Sequence, residues 1–248
     1  MGQVRYRFHK ELNDFIAPAL RNIEITRDLN RKTSVKDVIE SFGVPHTEVA
    51  LILLNGVPKD FTYIVQDGDA IGVYPSSECV DIKQILRLRP EPLAIPRFVI
   101  DANLGRLARY LRLLGFDCLY RNDYSDDMVA KISSESERIV LTRDRSLLQR
   151  KIIIYGYFVR ASTPKIQVKE VLKRYNLFHL IAPLVRCTRC NGILKKTEKQ
   201  KIEHRLEPLT KQHYHDFLIC MTCRQIYWQG SHYERAMHLV DEFKENDK

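Results

Sequence analysis

Read for hydrophobic and polar positions, the chain carries two short apolar runs that each lead into aspartate. Phe98, Val99 and Ile100 precede Asp101, and Ile139, Val140 and Leu141 lie just before Asp144. Apolar runs without polar alternation predict strands buried on both faces, as in a parallel sheet. Between them Leu104, Leu107, Ala108, Leu111 and Leu114 recur at helical spacing, with Arg106, Arg109 and Arg112 beside that stripe and Gly115 at its stop. Residues 116–120 predict a second strand, and Ser125, Asp126 and Asp127 open a further helix. Beyond Asp144, Leu147, Leu148 and Gln149 predict a short helix and residues 151–159 one or two buried strands. Residues 163–178 then predict a helix with Val168, Val171, Leu172 and Tyr175 facing the core. This alternation predicts an α/β fold, a doubly wound sheet of four or five parallel strands.

The first part of the chain follows a different rhythm. Residues 4–10 alternate like a strand and 22–26 can pair with them; a helix starts at Thr33-Ser34 and stops at Gly43. An apolar run then reaches the Asn55-Gly56 turn, and residues 65–75 close with a turn and a last strand. This ββαββ order predicts a small separate domain over 1–80. Residues 81–96 follow as a linker with three prolines in 87–96, which suits a semi-stiff extended connector.

Composition narrows the classes. A chain of 248 residues exceeds one average domain, and 44% hydrophobic content supports ordinary cores. No run approaches the roughly 18 apolar residues of a membrane helix, and the first ten residues lack the apolar core of a signal peptide. A cytoplasmic protein with no membrane contact is expected, its six cysteines reduced or metal-bound. Net charge is +9, unevenly spread: residues 1–85 carry 10 Lys+Arg against 12 Asp+Glu, residues 86–180 carry 18 against 10, and residues 181–248 carry 12 against 9. The basic excess thus surrounds the acidic runs, which suits a polyanionic substrate such as nucleic acid.

Two constellations carry chemistry. Strand-end carboxylates in a parallel sheet gather where ligands bind. They repel unless a cation sits between them, and Mg²⁺ or Mn²⁺ with oxygen ligands is the usual answer. Asp126 either caps its helix or serves as a third carboxylate, and Asp127 competes with it for that place. Arg143 and Arg145 flank Asp144 and are read as phosphate contacts or charge partners. Further on, Cys187-x-x-Cys190 and Cys220-x-x-Cys223 form two pairs 29 residues apart, each followed by a turn, at Asn191-Gly192 and at Arg224-Gln225. Two such pairs in a cytosolic chain predict a closed, structural Cys₄ zinc site. Cys79 and Cys118 stand alone and read as small buried apolar residues. Tyr227 and Trp228 could stack on bases, although packing over the zinc module is the plainer reading.

The order D-x-N-L-G-R-L-A-R-x-L-R-x-L-G-x-D, an acidic helix start, R-I-V-L-T-R-D-R and the two cysteine pairs resembles the mut-seven C-terminal RNase domain family, over roughly residues 97–238. The ββαββ order over 1–80 resembles the ubiquitin-like, β-grasp domain that accompanies it, and is similar to small sulfur carriers, notably in the stretches T-S-V-K-D-V-I-E and Q-D-G-D-A-I. Carrier chemistry needs a free C-terminal Gly-Gly, and here the last strand runs on into another domain. The resemblance implies a PIN-like nuclease over 97–182 and a zinc ribbon module over 183–248. It implies a ribonuclease with Asp101, Asp126 and Asp144 as catalytic metal ligands. Arg106, Arg109, Arg143 and Arg145 would hold RNA, structured RNA such as tRNA included. The alternative is an RNA-binding or regulatory module with a vestigial site. A fourth carboxylate could be Asp123, Asp127 or Glu135. The N-terminal domain is expected to offer a surface for a protein partner, to fold alone and to be dispensable for cleavage.

Overall fold

The computed structural model describes residues 2–75, 88, 93 and 95–244. Cys79 and most of the expected linker lie outside them. Three sheets follow one another along the chain. The first holds β1 (Gly2–Phe8), β2 (Ile25–Leu29), β3 (Val49–Leu54), β4 (Val57–Pro58) and β5 (Ala70–Pro75) in the order β2-β1-β5-β3-β4. β1 and β5 run parallel and the other pairs antiparallel. Burial alternates along β1, so Val4, Tyr6 and Phe8 face helix α1 (Val35–Ser41) and its Ile39. Ser34 caps that helix by accepting the Asp37 amide at 3.1 Å, as Ser at an N-cap does. Asn55 and Gly56 both take positive φ and turn β3 into β4, as the Asn-Gly pair predicts.

The second sheet is parallel throughout: β6 (Phe98–Ile100), β7 (Cys118–Leu119), β8 (Ile139–Thr142) and β9 (Gly156–Phe158), in the order β7-β6-β8-β9. All three β6 residues are fully buried, as a strand covered on both faces must be. Helices α2 (Gly105–Leu113), α3 (Asp126–Ser136), the single turn α4 (Arg145–Leu148) and α5 (Pro164–Arg174) connect and cover it. Gly115 closes α2 at φ +99°, and a Cβ there would stand 2.2 Å from the Ala182 carbonyl oxygen, so only glycine fits. The isoleucine run before β9 behaves differently from its expectation. Ile153 is buried, whereas Ile152 and Ile154 are half exposed and strand geometry begins at Gly156.

The third sheet has β10 (Leu194–Thr197), β11 (Phe217–Cys220) and β12 (Ile226–Trp228), with the short helices α6 (Lys199–Ile202) and α7 (Pro208–His213) between β10 and β11. Ile202, Phe217, Ile219 and Ile226 form its small core. The last helix, α8 (Ser231–Lys244), leaves this sheet and packs Val240 and Phe243 into the core built by α2 and α5. The expected module over 183–248 therefore ends in a helix that belongs, by packing, to the parallel-sheet unit. No helix among the described residues is long and apolar enough to cross a membrane.

Candidate metal centre and acidic cleft

The two cysteine pairs fold into matching knuckles. In each, the first cysteine carbonyl accepts an amide four residues on, from Asn191 to Cys187 at 2.9 Å and from Arg224 to Cys220 at 3.0 Å. Asn191 and Arg224 both adopt positive φ to close those loops. All four sulfurs lie within 4.8 Å of one another, with Cys187–Cys223 at 3.6 Å and Cys190–Cys220 at 3.4 Å. A tetrahedral ion with bonds of about 2.3 Å to sulfur would set neighbouring sulfurs about 3.8 Å apart. The set could hold one metal ion. Burial works against ionising these thiols and pushes Cys190 up to about 12; at Cys220 the amides of Cys223 and Thr222 overcome burial and bring it down to about 7. His204, His213 and His215 stand outside this group. Tyr227 directs its hydroxyl at the Cys187 sulfur, 3.1 Å away, and Trp228 packs over the small core beside Phe217.

The knuckles are bolted to the parallel sheet. Asp117 accepts from Arg138 at 2.8 Å, from Asn191 at 2.8 Å and pairs with Arg186 at 3.2 Å, while the Asn191 carboxamide oxygen accepts the Cys118 amide. Burial opposes the Asp117 charge, yet the Arg138 and Asn191 hydrogen bonds hold its carboxyl below the usual range. Arg112, read from the sequence as flanking the helix stripe, is buried and donates to carbonyls of Cys118, Tyr120, Thr188 and Arg189. Cys118 is fully buried, as its apolar reading predicts, and burial raises its thiol beyond reach of ionisation.

The acidic residues meet at the carboxyl end of the parallel sheet. β6 and β8 are paired in register, Ile100 beside Leu141, so Asp101 and Asp144 leave neighbouring strands on one edge. Thr142 links them: its hydroxyl donates to Asp101 Oδ2 at 2.7 Å and accepts the Asp144 amide at 2.9 Å. Asp144 caps α4, taking both the Ser146 amide and the Ser146 hydroxyl on Oδ1 at 2.7 Å. The Ser146 hydroxyl leads in holding its carboxyl below the ordinary value, so it is charged at neutral pH. Asp126 and Asp127 occupy the first turn of α3, which Ser125 caps by accepting the Met128 amide at 3.3 Å. Arg150 pairs with Asp127 and lies within electrostatic reach of Asp126 and Asp144. Three carboxylates thus address one cation of the protein's own. Carboxylate oxygens gathered near one positive charge are the donor type that a hard divalent ion takes. Among the described residues, however, no carboxylate group closes as tightly as the cysteines do.

The arginines predicted to hold nucleic acid divide. Arg106 and Arg109 are exposed on α2, beginning just after Asp101. Arg143 donates to the carbonyls of Arg160 and Ala161 and pins the loop after β9. Arg145 turns toward the N-terminal unit, where it donates to the Phe15 carbonyl at 3.1 Å and the Asp14 carbonyl at 3.4 Å. Thr142 and Arg150 were absent from the candidates read in the sequence; both sit inside the R-I-V-L-T-R-D motif or shortly after it, and only their contacts single them out.

A parallel sheet with acidic strand ends, carrying a four-cysteine cluster on one edge and a separate mixed sheet before it, defines an α/β chain of three sheet units. Residues 96–240 match the family described as the Mut7-C RNAse domain, and residues 1–81 match the family described as Mut7-C ubiquitin. With more than half its length matched, the chain belongs to the Mut7-C RNAse domain family. No curated protein and no solved structure matches it.

Proposed function

We propose that this chain is a metal-dependent ribonuclease. The observation that supports the reading most is the shared edge: Asp101 and Asp144 on adjacent parallel strands, joined through Thr142, with the Asp126-Asp127 helix start addressing the same cation as Asp144. Asp101, Asp126 and Asp144 would hold Mg²⁺ or Mn²⁺, with Asp127 as the rival third ligand. A bound divalent ion supplies an acidified water and neutralises charge on the scissile phosphate. The chain's own groups do the positioning. Thr142 fixes one oxygen of Asp101, and Ser146 keeps Asp144 ionised. Arg106 and Arg109, exposed on the helix that follows Asp101, offer cations to a phosphate backbone. RNA as the substrate class is supported by the family rather than by any group that reads a 2′-hydroxyl, and structured RNA such as tRNA is included in the proposal. The four cysteines would hold structural Zn²⁺, and the ubiquitin-like unit offers a surface to a protein partner. The cytoplasm, where thiols stay reduced, is the expected site of action.

One observation favours a second reading, an RNA-binding module with a weak nuclease site: Asp127 is already paired with Arg150 and Asp144 already caps a helix. The test separates them. Asp101→Asn and Asp144→Asn, singly and together, should lower Mn²⁺-supported cleavage of labelled RNA by at least about a hundredfold while RNA binding in chelator persists. Undiminished cleavage by the double variant removes the enzyme reading. Binding without cleavage by the wild-type chain at every Mg²⁺ and Mn²⁺ concentration selects the second.

A further inference from the structure

The ubiquitin-like unit lies against the nuclease unit at the element that carries Asp144. Helix α4 is one turn long, and a single turn has no stability of its own. From inside, Leu147 and Leu148 hold it, both fully buried. From outside, its holds come from the first unit. The Arg145 guanidinium donates to the Phe15 and Asp14 carbonyls and lies 5.1 Å over the Phe15 ring. Gln149 donates to the Glu40 carbonyl at 3.1 Å. The next strand is gripped as well. β9 is the edge of the parallel sheet, and its Phe158 amide donates to Glu48 Oε1 at 2.7 Å. Arg160 closes the contact on Glu48 Oε2 and on Asp14 Oδ2, each at 3.0 Å. The Glu48 side chain is only 2% exposed. His46 bridges from Glu40 at 2.7 Å to the Ile153 carbonyl at 3.0 Å.

A carboxylate withdrawn this far from water is tolerated only while its partners stay in place. Two units touching only in passing would not bury one. The charge distribution agrees, since the acidic first unit supplies Asp14 and Glu48 and the basic second unit supplies Arg145 and Arg160.

We infer that Arg145 and Gln149 are positioning residues, through which the docked ubiquitin-like unit fixes α4 and thereby Asp144. This rests on the proposed carboxylate–metal reading and reverses the expectation that residues 1–80 are dispensable for cleavage. It also separates two jobs for Arg145: a phosphate contact would act on RNA, whereas a positioning residue acts on the metal site. The orientation of Asp144 is set by its Ser146 bonds, and those hold only while α4 stays seated.

The experiment uses the full zinc-loaded chain with Arg145→Met and Gln149→Met, and reads Mn²⁺ affinity without RNA by electron paramagnetic resonance. RNA affinity in chelator is measured beside it. Arg145→Met should weaken Mn²⁺ binding by about tenfold, the usual cost of removing an outer support of a ligand. Gln149→Met should weaken it less, and RNA affinity in chelator should be unchanged in both. Gln149 gives up one hydrogen bond, so that variant keeps the test alive should Arg145→Met misfold. Loss of RNA affinity with Mn²⁺ affinity intact makes Arg145 a phosphate contact and overturns the inference, as does no change in either. Asp144→Asn serves as the reference. If it leaves Mn²⁺ binding unaltered, the carboxylate–metal reading falls; if it abolishes binding while the other two variants do nothing, the positioning inference alone falls.

Discussion

The cysteine cluster and the acidic cleft both collect like-charged ligands, and they do it in opposite ways. Four sulfurs already converge within 4.8 Å, held by two matching backbone turns and flanked by the Tyr227 hydroxyl on Cys187. Three of the four aspartates, by contrast, are engaged by the protein: Asp101 by Thr142, Asp144 by Ser146, Asp127 by Arg150. The first arrangement is a closed ligand set whose bound ion would hold the fold. The second is an open edge whose charges are parked on hydrogen-bond donors and one guanidinium. Mutual repulsion is relieved there without a metal. Under the proposed reading, the structural centre has its ligands assembled, while the exchangeable one holds them on local substitutes.

The largest effect should come from breaking the closed set. Cys187→Ser removes one of four thiolates, and metal-binding free energy in such sites is folding free energy. A loss of more than about 4 kcal/mol is expected, the range reserved for losing a metal or a buried network. Elemental analysis should find one zinc per wild-type chain and well under one in the variant. Equal zinc content in both would remove the assignment.

A smaller effect tests how the ribbon is coupled to the sheet. Asp117→Asn leaves Arg138 and Arg186 without their shared carboxylate. The site is partly open to water, so a cost of about 2 kcal/mol is expected, below that of a fully buried pair. The pH dependence has a fixed sign. The folded Asp117 titrates below its ordinary 3.8, so its contribution is present above that value and fades as pH falls through the lower one. Denaturant midpoints of wild type and variant should therefore differ at neutral pH and converge in acid. A constant gap across that range would show that Asp117 acts by packing alone.

Much of this was legible in the residues. The buried runs at Phe98–Ile100 and Ile139, Val140 and Leu141, the α2 stripe and the C-x-x-C pairs state local requirements, and local requirements are what a sequence displays. Partner choice is not local. Arg145 beside an aspartate reads as a phosphate contact or charge partner, and its bonds to the Phe15 and Asp14 carbonyls show only in the fold. Arg112 sits in the same register as two exposed arginines, yet the knuckle backbone closes over it. The apolar positions of α8 name no core to join; it joins the parallel-sheet core through Phe243 against Tyr110. The three isoleucines before β9 offer more apolar surface than that corner can cover, so two of them remain half exposed.

The smallest effect on stability, and the one that sharpens the comparison most, lies at Arg150. Its pair with Asp127 is exposed, the aspartate side chain being 87% accessible, and such pairs contribute little to stability. Arg150→Gln should thus leave the denaturation midpoint nearly unchanged. Its effect belongs to the ion. Removing a positive charge that faces Asp126, Asp127 and Asp144 takes away a competitor. A unit charge close to the ligands repels an incoming cation, so Mn²⁺ should bind roughly fivefold tighter without it. Asp127→Asn then divides the two candidates for third ligand. If Asp126 is the ligand, Asp127 merely anchors Arg150, and freeing that guanidinium to swing onto Asp126 and Asp144 should weaken Mn²⁺ binding only in chains that still carry Arg150. If Asp127 is the ligand, the loss persists in the Arg150→Gln background. Unchanged Mn²⁺ affinity in Arg150→Gln would mean that Arg150 is no stand-in for the metal, and the contrast between a closed and a substituted centre would lose its acidic half.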